Sequence, residues 1–399
     1  MRCLLLTDSD AFAGTERHML DLAGALASRG VDASIGNPAG TPLAERAHAA
    51  GLPHLDVPRG PAVDLPAARQ LAGLLKRGDL DLIHAHNGRA MLIGAVATRL
   101  AGRGALVATQ HFLTPSRSAR RGPKAWLANA LHRWVAGRVD RQVAISSAVL
   151  DAMIARGDAP ADRCRLVRNG IPSPQLPAGF EAAATRREFG LTPDAPLVVT
   201  AARLVPEKSI GVLIDAMRRV VERIPEAVCL IAGTGSLEGE LSRRIDNAGL
   251  VDRVRLLGFR RDVHALIAAG DVFALPSAAE PFGLVLLEAM ALGRPVVATD
   301  HGGPRDIVTP DTGRLVTADD PDAMGDALAT LLADRSSADA SGRAGRDRYR
   351  AEFTVDRMAD EMLAVYREVC PIDAAIGKAD PTQPTPMARS TGGAVSCAS

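Results

Sequence analysis

The sequence predicts an α/β protein with two doubly wound domains, each built on a parallel sheet that helices cover on both faces. Three observations carry this prediction. Short apolar runs alternate with segments of helical periodicity, and such alternation is typical of parallel sheets. The pattern occurs twice, and residues 170–179, which are rich in Pro and Gly, separate the two halves. The length of 399 residues is enough for two domains of ordinary size.

The strands are predicted from ten short apolar runs, five in each half of the chain. In the first half they cover residues 3–7, 33–36, 82–84, 106–109 and 142–145. In the second half they cover residues 197–201, 228–232, 254–257, 272–275 and 296–299. The helices predicted between them include residues 16–28, 209–223, 237–247 and 282–292.

The linker and the composition set the predicted domain limits. The first domain is predicted to span residues 1–172 and the second residues 173–349, with the Pro- and Gly-rich stretch between them. Residues 371–399 consist mainly of Pro, Thr, Ser, Gly and Ala and have little to bury. We therefore predict that they form a disordered tail.

Composition excludes several classes of protein. The 47 basic residues nearly balance the 46 acidic ones, so net charge gives no argument for any class of partner, and no nucleic-acid partner is expected. The five cysteines are scattered without a C-x-x-C pair, which fits a reducing compartment and no structural zinc. The apolar run after Met1 is too short for a signal peptide, and no run is long enough to span a bilayer. A cytoplasmic protein is expected, with peripheral contact at the inner face of the plasma membrane left open.

The strongest functional signal is the segment EPFGLVLLE, from Glu280 to Glu288. Its pattern predicts a helix that begins at Pro281, where the missing N–H of proline costs nothing. The free N–H groups of residues 282–284 would then point out of the positive end of the helix, which favours a diphosphate. Glu288 would lie roughly 9 Å along the axis, where a carboxylate can accept hydrogen bonds from two ribose hydroxyls. Glu280 would face the group beyond the far phosphate.

Other segments accompany the glutamate pair. They are Arg203-Leu-Val-Pro-Glu-Lys208 after a predicted strand, Val167-Arg-Asn-Gly-Ile171 at the domain junction, Leu256-Leu-Gly-Phe259, and Gly302-Gly303 followed by Asp306. With the glutamate pair, these segments resemble the motifs of the retaining family-four glycosyltransferases. That group includes bacterial glycogen synthases and the mannosyl- and glucosyltransferases of envelope polysaccharides. The resemblance covers most of residues 1–368 and is strongest between residues 165 and 316.

The resemblance implies a fold and a reaction. The fold is GT-B, in which two Rossmann-like domains face each other across a cleft and the last helix, about residues 350–370, crosses back to the first domain. The reaction is transfer of a sugar, with retained anomeric configuration, from a nucleotide diphosphate donor. The acceptor would be anionic, lipid-linked or a saccharide, in cell-envelope polysaccharide, lipopolysaccharide or glycolipid synthesis. The departing phosphate would help to deprotonate the acceptor, and no cofactor is implied.

The resemblance also implies roles for individual residues. Arg203 and Lys208 match residues that contact the donor diphosphate, while Glu280 and His111 match residues that orient the transferred sugar. These four form the predicted catalytic set. The predicted donor-binding set is Glu288, Phe282, Gly283, Leu284, Gly14, Gly258 and Phe259. The chain departs from the family at Ala13, where the family has a glycine, although Gly14 still permits close approach of the backbone to phosphate.

Two other functions stay open at this point. A nucleotide-sugar epimerase of the same architecture would bind the same donor and convert it without an acceptor. A non-catalytic module would bind the sugar nucleotide only. The loop from Gly233 to Gly239 is interpreted as a tight turn that lines the donor cleft, against the alternative of a dinucleotide-binding loop.

Two short motifs are candidates for metal binding. Asp8 and Asp10 have the D-x-D spacing of metal-dependent transferases, but the paired-glutamate motif argues against that role. His84 and His86 end a predicted strand and share one face, because alternate residues of a strand point the same way. No third ligand is evident beside them, so no metal site is predicted.

One stretch of the first domain is basic. Residues 83–138 contain no Asp or Glu, and Trp126 and Trp134 recur at helical spacing within residues 116–138. This helix either packs its tryptophans on the core or lies on an anionic membrane or acceptor. The sequence leaves both interpretations open.

Overall fold

The structure is a computed structural model, and it describes residues 1–60, 64–113, 131 and 133–370. The predicted tail lies outside the described residues. Two parallel sheets with helices between the strands confirm the predicted fold class, and all ten predicted apolar runs form strands.

The N-terminal domain is built on a seven-stranded parallel sheet. Its strands are β1 Arg2–Leu6, β2 Asp32–Asn37, β3 His54–Asp56, β4 Leu82–Ala85, β5 Ala105–Gln110, β6 Arg141–Ala144 and β7 Cys164–Leu166. Their order in the sheet is β3-β2-β1-β4-β5-β6-β7. The helices described with bounds in this domain are α1 Gly14–Ala27, α2 Pro42–Ala49, α3 Leu65–Arg77, α4 Gly88–Ala101 and α5 Ser147–Arg156.

The C-terminal domain repeats this plan on a six-stranded parallel sheet. Its strands are β8 Leu197–Ala201, β9 Val228–Ala232, β10 Val254–Leu256, β11 Val272–Leu275, β12 Val296–Thr299 and β13 Gly313–Val316. Their order is β10-β9-β8-β11-β12-β13, which matches that of the first six strands of the other sheet. The helices are α6 Ala182–Glu188, α7 Ile210–Arg223, α8 Glu238–Asn247, α9 Val263–Ala269, α10 Leu284–Ala291, α11 Pro304–Ile307, α12 Pro321–Ala333 and α13 Arg335–Glu352, and the last helix, α14, is Val355–Val369.

The strand order explains where ligands can bind. In both sheets the chain first builds outward to one edge and then returns past the first strand to build the other half. This reversal opens a crevice at the carboxyl ends of the central strands, where open α/β sheets bind their ligands. The loops after β1, β4, β5, β8, β11 and β12 therefore carry most of the candidate site, and the loop after the edge strand β10 carries the rest.

Three strands were absent from the prediction, and each lies at the edge of a sheet. β3, β7 and β13 have three or four residues and include charged side chains. A central strand is buried on both faces and has a continuous apolar run, whereas an edge strand pairs on one side only and needs no such run. The apolar pattern therefore missed three of the four edge strands and found only β10, which has an apolar run.

Caps at strand ends fix how the helices begin. Asn87, after β4, accepts a hydrogen bond from the Ala90 N–H at 2.8 Å, and the left-handed Gly102 ends the same helix, α4. Ser146, after β6, accepts from the Val149 N–H at 3.2 Å and starts α5. Both helices thus begin at the carboxyl edge of the sheet.

The two domains touch closely at the junction. One apolar cluster includes Val149 and Met153 of α5 together with Phe282 and Leu286 of the C-terminal domain. Helix α14 packs on the other domain, where Met358 and Tyr366 belong to the core that α1 shares. The predicted domain limits themselves remain predictions.

The chain crosses between the domains at two adjacent segments. The Ile171 carbonyl accepts from the Val355 N–H at 3.0 Å and from the Tyr349 hydroxyl at 3.1 Å. A Cβ at Gly170 would overlap the Thr354 carbonyl, so only glycine fits there. Any movement of one domain against the other therefore passes through this paired crossing.

Candidate functional site

The helix that carries the glutamate pair begins later than predicted. Helix α10 starts at Leu284, and its N-cap Gly283 has φ 107°, so Pro281 is not at the first helical position. A left-handed residue cannot continue a right-handed helix, and Gly283 therefore sets the boundary. The expectation that the Phe282 N–H lies at the helix terminus is wrong. Phe282 packs its ring in the core beside Phe353, with ring centroids 6.3 Å apart.

The terminus of α10 still offers backbone donors. The N–H groups of the first two helical residues, Leu284 and Val285, have no acceptor within the helix, whereas that of Leu286 donates to the Gly283 carbonyl at 2.9 Å. Gly14, the first residue of α1, faces this terminus across the domain boundary, because a Cβ placed on it would lie 3.8 Å from Leu284 Cδ1. The structure therefore brings the predicted residues Gly14, Gly283 and Leu284 together.

Glu280 lies in the loop before α10 and is paired with Lys208. Its Oε2 lies 2.6 Å from Lys208 Nζ, and the two side chains are only 9% and 18% exposed. A buried carboxylate requires such a partner, because desolvation of an unpaired charge is costly. Gly302 and Gly303 pass directly beneath this loop, and a Cβ at either would overlap its backbone.

Glu288 lies one turn inside α10 and is bonded to residues that the sequence analysis missed. Its Oε1 accepts a hydrogen bond from Arg17 Nη1 at 3.2 Å, and His264 Nε2 lies 3.6 Å away. Arg17 belongs to α1 of the N-terminal domain and also contacts Asp21 at 3.3 Å. Because Arg17 and Glu288 are 271 positions apart, only the tertiary structure reveals this pair.

Arg203 occupies a different environment from Lys208. Its guanidinium pairs with Glu207 at 3.1 Å, four residues along the chain, and the side chain is 64% exposed. The loop that carries it packs closely on its neighbour, since Cβ atoms at Gly233 and Gly235 would overlap the carbonyls of residues 202 and 204. The structure therefore places Arg203 at the rim and Lys208 against Glu280.

The remaining donor-binding candidates lie on the loop after β10. The Gly258 carbonyl accepts from the Gly233 N–H at 2.7 Å, which ties this loop to the one after β9. Phe259 is 73% exposed, the largest exposed fraction among the large apolar residues that the structure describes. An aromatic ring on open loop backbone at a sheet's carboxyl edge can stack on a planar ligand.

His111 lies in a cluster of four buried histidines at the carboxyl edge of the N-terminal sheet. The ring of His111 stacks on that of His86 with centroids 5.3 Å apart, and His86 Nδ1 lies 3.0 Å from His111 Nε2. His18, from α1, lies edge-on to His111 at 5.0 Å. His84 completes the cluster, with hydrogen bonds to the Tyr366 hydroxyl at 2.6 Å and to Thr109 Oγ1 at 2.7 Å.

Burial keeps these imidazoles neutral. Desolvation lowers the pKa of His18 to about 4, and the neighbouring Asn169 side chain offsets only part of this shift. Desolvation, followed by mutual repulsion among the rings, lowers the pKa of His84, His86 and His111 well below the ordinary value. At neutral pH the cluster thus presents uncharged ring nitrogens.

The Asp8 and Asp10 carboxylates are held by arginines. Asp10 pairs with Arg59 at 2.9 Å, and Asp8 lies 3.5 Å from Arg89 and accepts from Asn87 Nδ2 at 2.7 Å. These contacts satisfy both acids without a metal ion. They fix the loop after β1 beside α4.

Of residues 116–138, the segment predicted to form the basic helix, only residue 131 and residues 133–138 are described. Trp126 and residues 116–130 lie outside the described residues, as does residue 132. Trp134 is 38% exposed, and the Arg138 guanidinium lies over its ring at 4.4 Å. Across residues 1–60, 64–113 and 133–370, none of the helices combines the length and the apolar character needed to cross a bilayer.

Comparison with known proteins gives a consistent result. The profile described as "Glycosyl transferases group 1" matches residues 182–348, and that of "Glycosyltransferase Family 4" matches residues 12–173. A phosphatidyl-myo-inositol mannosyltransferase of Mycobacterium tuberculosis is 30% identical over 391 residues, which is 90% of this chain and 94% of that protein.

Two further comparisons concern the fold and the share of each relative's length that aligns with this chain. The lipopolysaccharide core mannosyltransferase LpsB of Rhizobium meliloti is 32% identical over 212 residues, 51% of this chain and 60% of LpsB. The alignments with the first three curated relatives span 50 to 60% of those relatives' own lengths. The crystal structure of Anabaena HepE in complex with UDP has a TM-score of 0.80 and 25% identity, covering 92% of this chain and all of HepE. The chain therefore belongs to the family-four glycosyltransferases, enzymes of GT-B architecture.

Proposed function

We propose that this protein transfers a hexosyl group, with retained configuration, from a nucleotide diphosphate sugar to an acceptor in cell-envelope polysaccharide, lipopolysaccharide or glycolipid synthesis. The observation that carries the proposal is the pair of buried carboxylates beside the start of α10. Each one faces a cation, since Lys208 pairs with Glu280 and Arg17 with Glu288. A site of this kind offers acceptors for sugar and ribose hydroxyls next to donors for a diphosphate.

The leaving diphosphate is the group that the proposed site stabilises. Negative charge builds on it as the glycosidic bond breaks, and preorganised donors lower the energy of that state. Lys208 and the N–H groups at Gly283 and Leu284 would supply these donors, and Arg203 would swing in from the rim. Catalysis would thus rest on positioning and electrostatics, without a metal or another cofactor.

The sugar and the nucleoside are assigned to opposite sides of the diphosphate. Glu280 and His111, one from each domain, would orient the transferred sugar, while Glu288 would hold the ribose and the loop at Gly258 and Phe259 the base. The departing phosphate would take the acceptor proton on the same face of the sugar, as in the family. The small exposure of Glu280 supports exclusion of water, which limits hydrolysis of the donor.

Relatives suggest which donors to test first. One Corynebacterium glutamicum relative is named a GDP-mannose-dependent mannosyltransferase, and the HepE protein was crystallised with UDP-glucose. Thermal shift with GDP-mannose, UDP-glucose and their nucleotides should identify the base, because a ligand of the native state raises its stability. Mannose- and glucose-containing acceptors, free and lipid-linked, should then be screened with the donor that binds.

The acceptor screen also separates a transferase from the two alternatives, an epimerase and a non-catalytic binding module. A transferase consumes donor in proportion to acceptor glycosylation, and NMR of the product should show the anomeric configuration of the donor. An epimerase would convert the donor without any acceptor. Donor binding with no turnover across all acceptors would favour a non-catalytic module and contradict the proposal.

The acceptor is proposed to be anionic or held at a membrane, through residues 116–138. Cations near an anionic surface contribute about 1 kcal/mol each, and salt screens this attraction. Sedimentation with vesicles containing phosphatidylglycerol should therefore fall steeply with salt. It should also fall when Arg117, Arg120, Arg121 and Lys124 are all replaced by Ser. Equal sedimentation of both proteins, or none at low salt, would leave a soluble acceptor.

A further inference from the structure

Three histidines converge at one point of the N-terminal domain. His18 reaches it from α1, His86 from the end of β4 and His111 from the end of β5. One ring nitrogen of each lies within 4.8 Å of the others, and the three residues are at most 5% exposed. His18 and His111 are possible ligands beside His86 that the sequence alone did not reveal.

The nitrogens of this cluster are incompletely satisfied. Within the part of the chain that the structure describes, neither ring nitrogen of His18 makes a hydrogen bond, although the Asn169 side chain is close enough to affect its pKa. Nε2 of His86 also has no partner, whereas Nδ1 of His86 is bonded to Nε2 of His111. Buried polar atoms are nearly always hydrogen-bonded, so each exception requires an explanation such as a bound ion. His84 differs from the other three, because Tyr366 and Thr109 occupy both of its nitrogens.

We propose that His18, His86 and His111 form a zinc-binding site. Ligand nitrogens about 3.3 Å apart are what tetrahedral geometry requires when Zn–N bonds are 2.0–2.1 Å. His86 Nδ1 and His111 Nε2 are hydrogen-bonded to each other at 3.0 Å, so zinc would replace the proton between them, which moves to the other nitrogen of its own ring. His18 is then the ligand that must approach. Neutral imidazoles suit Zn²⁺ and related borderline metals, whereas Mg²⁺ and Ca²⁺ prefer oxygen ligands, which this triad lacks.

Zinc at this site would act on catalysis through His111. This consequence rests on the proposed function, in which His111 orients the transferred sugar. A bound ion would take the lone pair of His111 Nε2 and so fix the tautomer and position of the ring that is proposed to contact the sugar. Zinc is therefore a reversible inhibitor of transfer, and chelation restores the rate.

Metal binding is measured first, without any assay of activity. The full chain, without a polyhistidine tag and stripped with EDTA, is titrated with ZnSO₄ against a chromophoric chelator, and with MgCl₂ in parallel. We expect one Zn²⁺ per chain and no competition by Mg²⁺. His18→Leu and His86→Gln should each weaken zinc binding by roughly 100-fold, since even changes outside the ligand shell cost 10- to 100-fold. His48→Gln, at an exposed position on α2, is the matched control and should bind zinc as the parent does.

X-ray absorption at the zinc edge keeps the test valid if a variant folds poorly. The parent protein should show three imidazole nitrogens at 2.0–2.1 Å. Sulfur ligands, or equal binding by all variants, would overturn the site. Zinc bound at the triad by a protein that transfers no sugar would refute the proposed function alone. Transfer unaffected by zinc that is bound there would overturn the inhibitory role.

Discussion

The two sides of the cleft hold their polar groups in opposite ways. On the C-terminal side, buried carboxylates pair with cationic side chains, as in Lys208–Glu280 and Arg17–Glu288. On the N-terminal side, four imidazoles are buried without a carboxylate partner, and desolvation holds them neutral. The difference suggests a division of labour, in which one wall handles a charged diphosphate and the other an uncharged sugar.

The cost of each arrangement also differs. An ion pair recovers part of its desolvation cost through the partner charge, and losing that partner leaves a buried charge. A neutral imidazole costs less to bury but leaves ring nitrogens unsatisfied. The following predictions test whether the two walls have the separate roles that their chemistry indicates.

Replacing Glu280 with Gln should have the largest effect on turnover. The change keeps the shape but removes the charge beside Lys208 and the reacting sugar, so turnover should fall by about 100-fold with little change in donor affinity. Steady-state kinetics with the identified donor measures this. Glu222→Gln, at an exposed position of α7, is the control. Near parental turnover in E280Q would mean that this wall does not stabilise the reaction.

Replacing Glu288 with Gln should mainly weaken donor binding. Charge-assisted hydrogen bonds contribute about 1.5–3 kcal/mol, which corresponds to roughly 10- to 150-fold in Kd. Calorimetric titration with the nucleotide diphosphate measures the change, with E222Q again as the control. A Kd within twofold of the parent value would remove Glu288 from the ribose site.

The N-terminal wall is tested by removing one hydroxyl. Tyr366→Phe leaves a buried nitrogen of His84 unpaired, so the N-terminal domain should lose about 1–3 kcal/mol of stability. Both tryptophans of the chain, Trp126 and Trp134, belong to this domain, so their fluorescence during urea unfolding reports on it. Tyr349→Phe is the matched control and should cost less, because the Ile171 carbonyl keeps its bond from the Val355 N–H. Equal losses in the two variants would contradict this account.

Breaking the ion pair that joins Arg17 of the N-terminal domain to Glu288 of the C-terminal domain should have a smaller effect. Arg17 occupies the Glu288 carboxylate that ribose would use, and a partly exposed ion pair is worth about 0.2–1 kcal/mol. Arg17→Ala should therefore tighten donor binding, by up to about fivefold. Arg69→Ala, at an exposed position on α3, should leave the Kd unchanged. Weaker binding in R17A would show instead that Arg17 contacts the donor itself.

Removal of divalent metals should have the smallest effect. Fixed cations and helix N–H groups take the part of a metal in the proposed reaction, so the rate in EDTA should stay within about twofold of the parent rate, or rise if zinc is bound. A rate that collapses in EDTA and recovers with Mn²⁺ or Mg²⁺ would assign a catalytic role to Asp8 and Asp10.

The fold was largely predictable because its signal is local. Apolar runs identify the buried strands of both sheets, since a strand covered on two faces must be apolar along its length. The short edge strands β3, β7 and β13 carry no such run, and the pattern missed them. The boundary of α10 was also mispredicted, because the left-handed backbone of Gly283 overrode the preference of Pro281 for a helix start.

The candidate site, like the fold, has a part that the sequence predicts and a part that only the structure reveals. The sequence by itself determined the chemistry of the loops after β8, β11 and β12, where motifs such as Glu280 to Glu288 lie within one short segment. Only the tertiary structure decided which distant side chains meet them. Arg17 reaches Glu288 across the cleft, and His18 joins His86 and His111 from another element, because the doubly wound topology brings the carboxyl ends of separate strands to a common edge. Local patterns encode elements and motifs, whereas contacts between residues far apart in the chain exist only once both domains have folded and closed on each other.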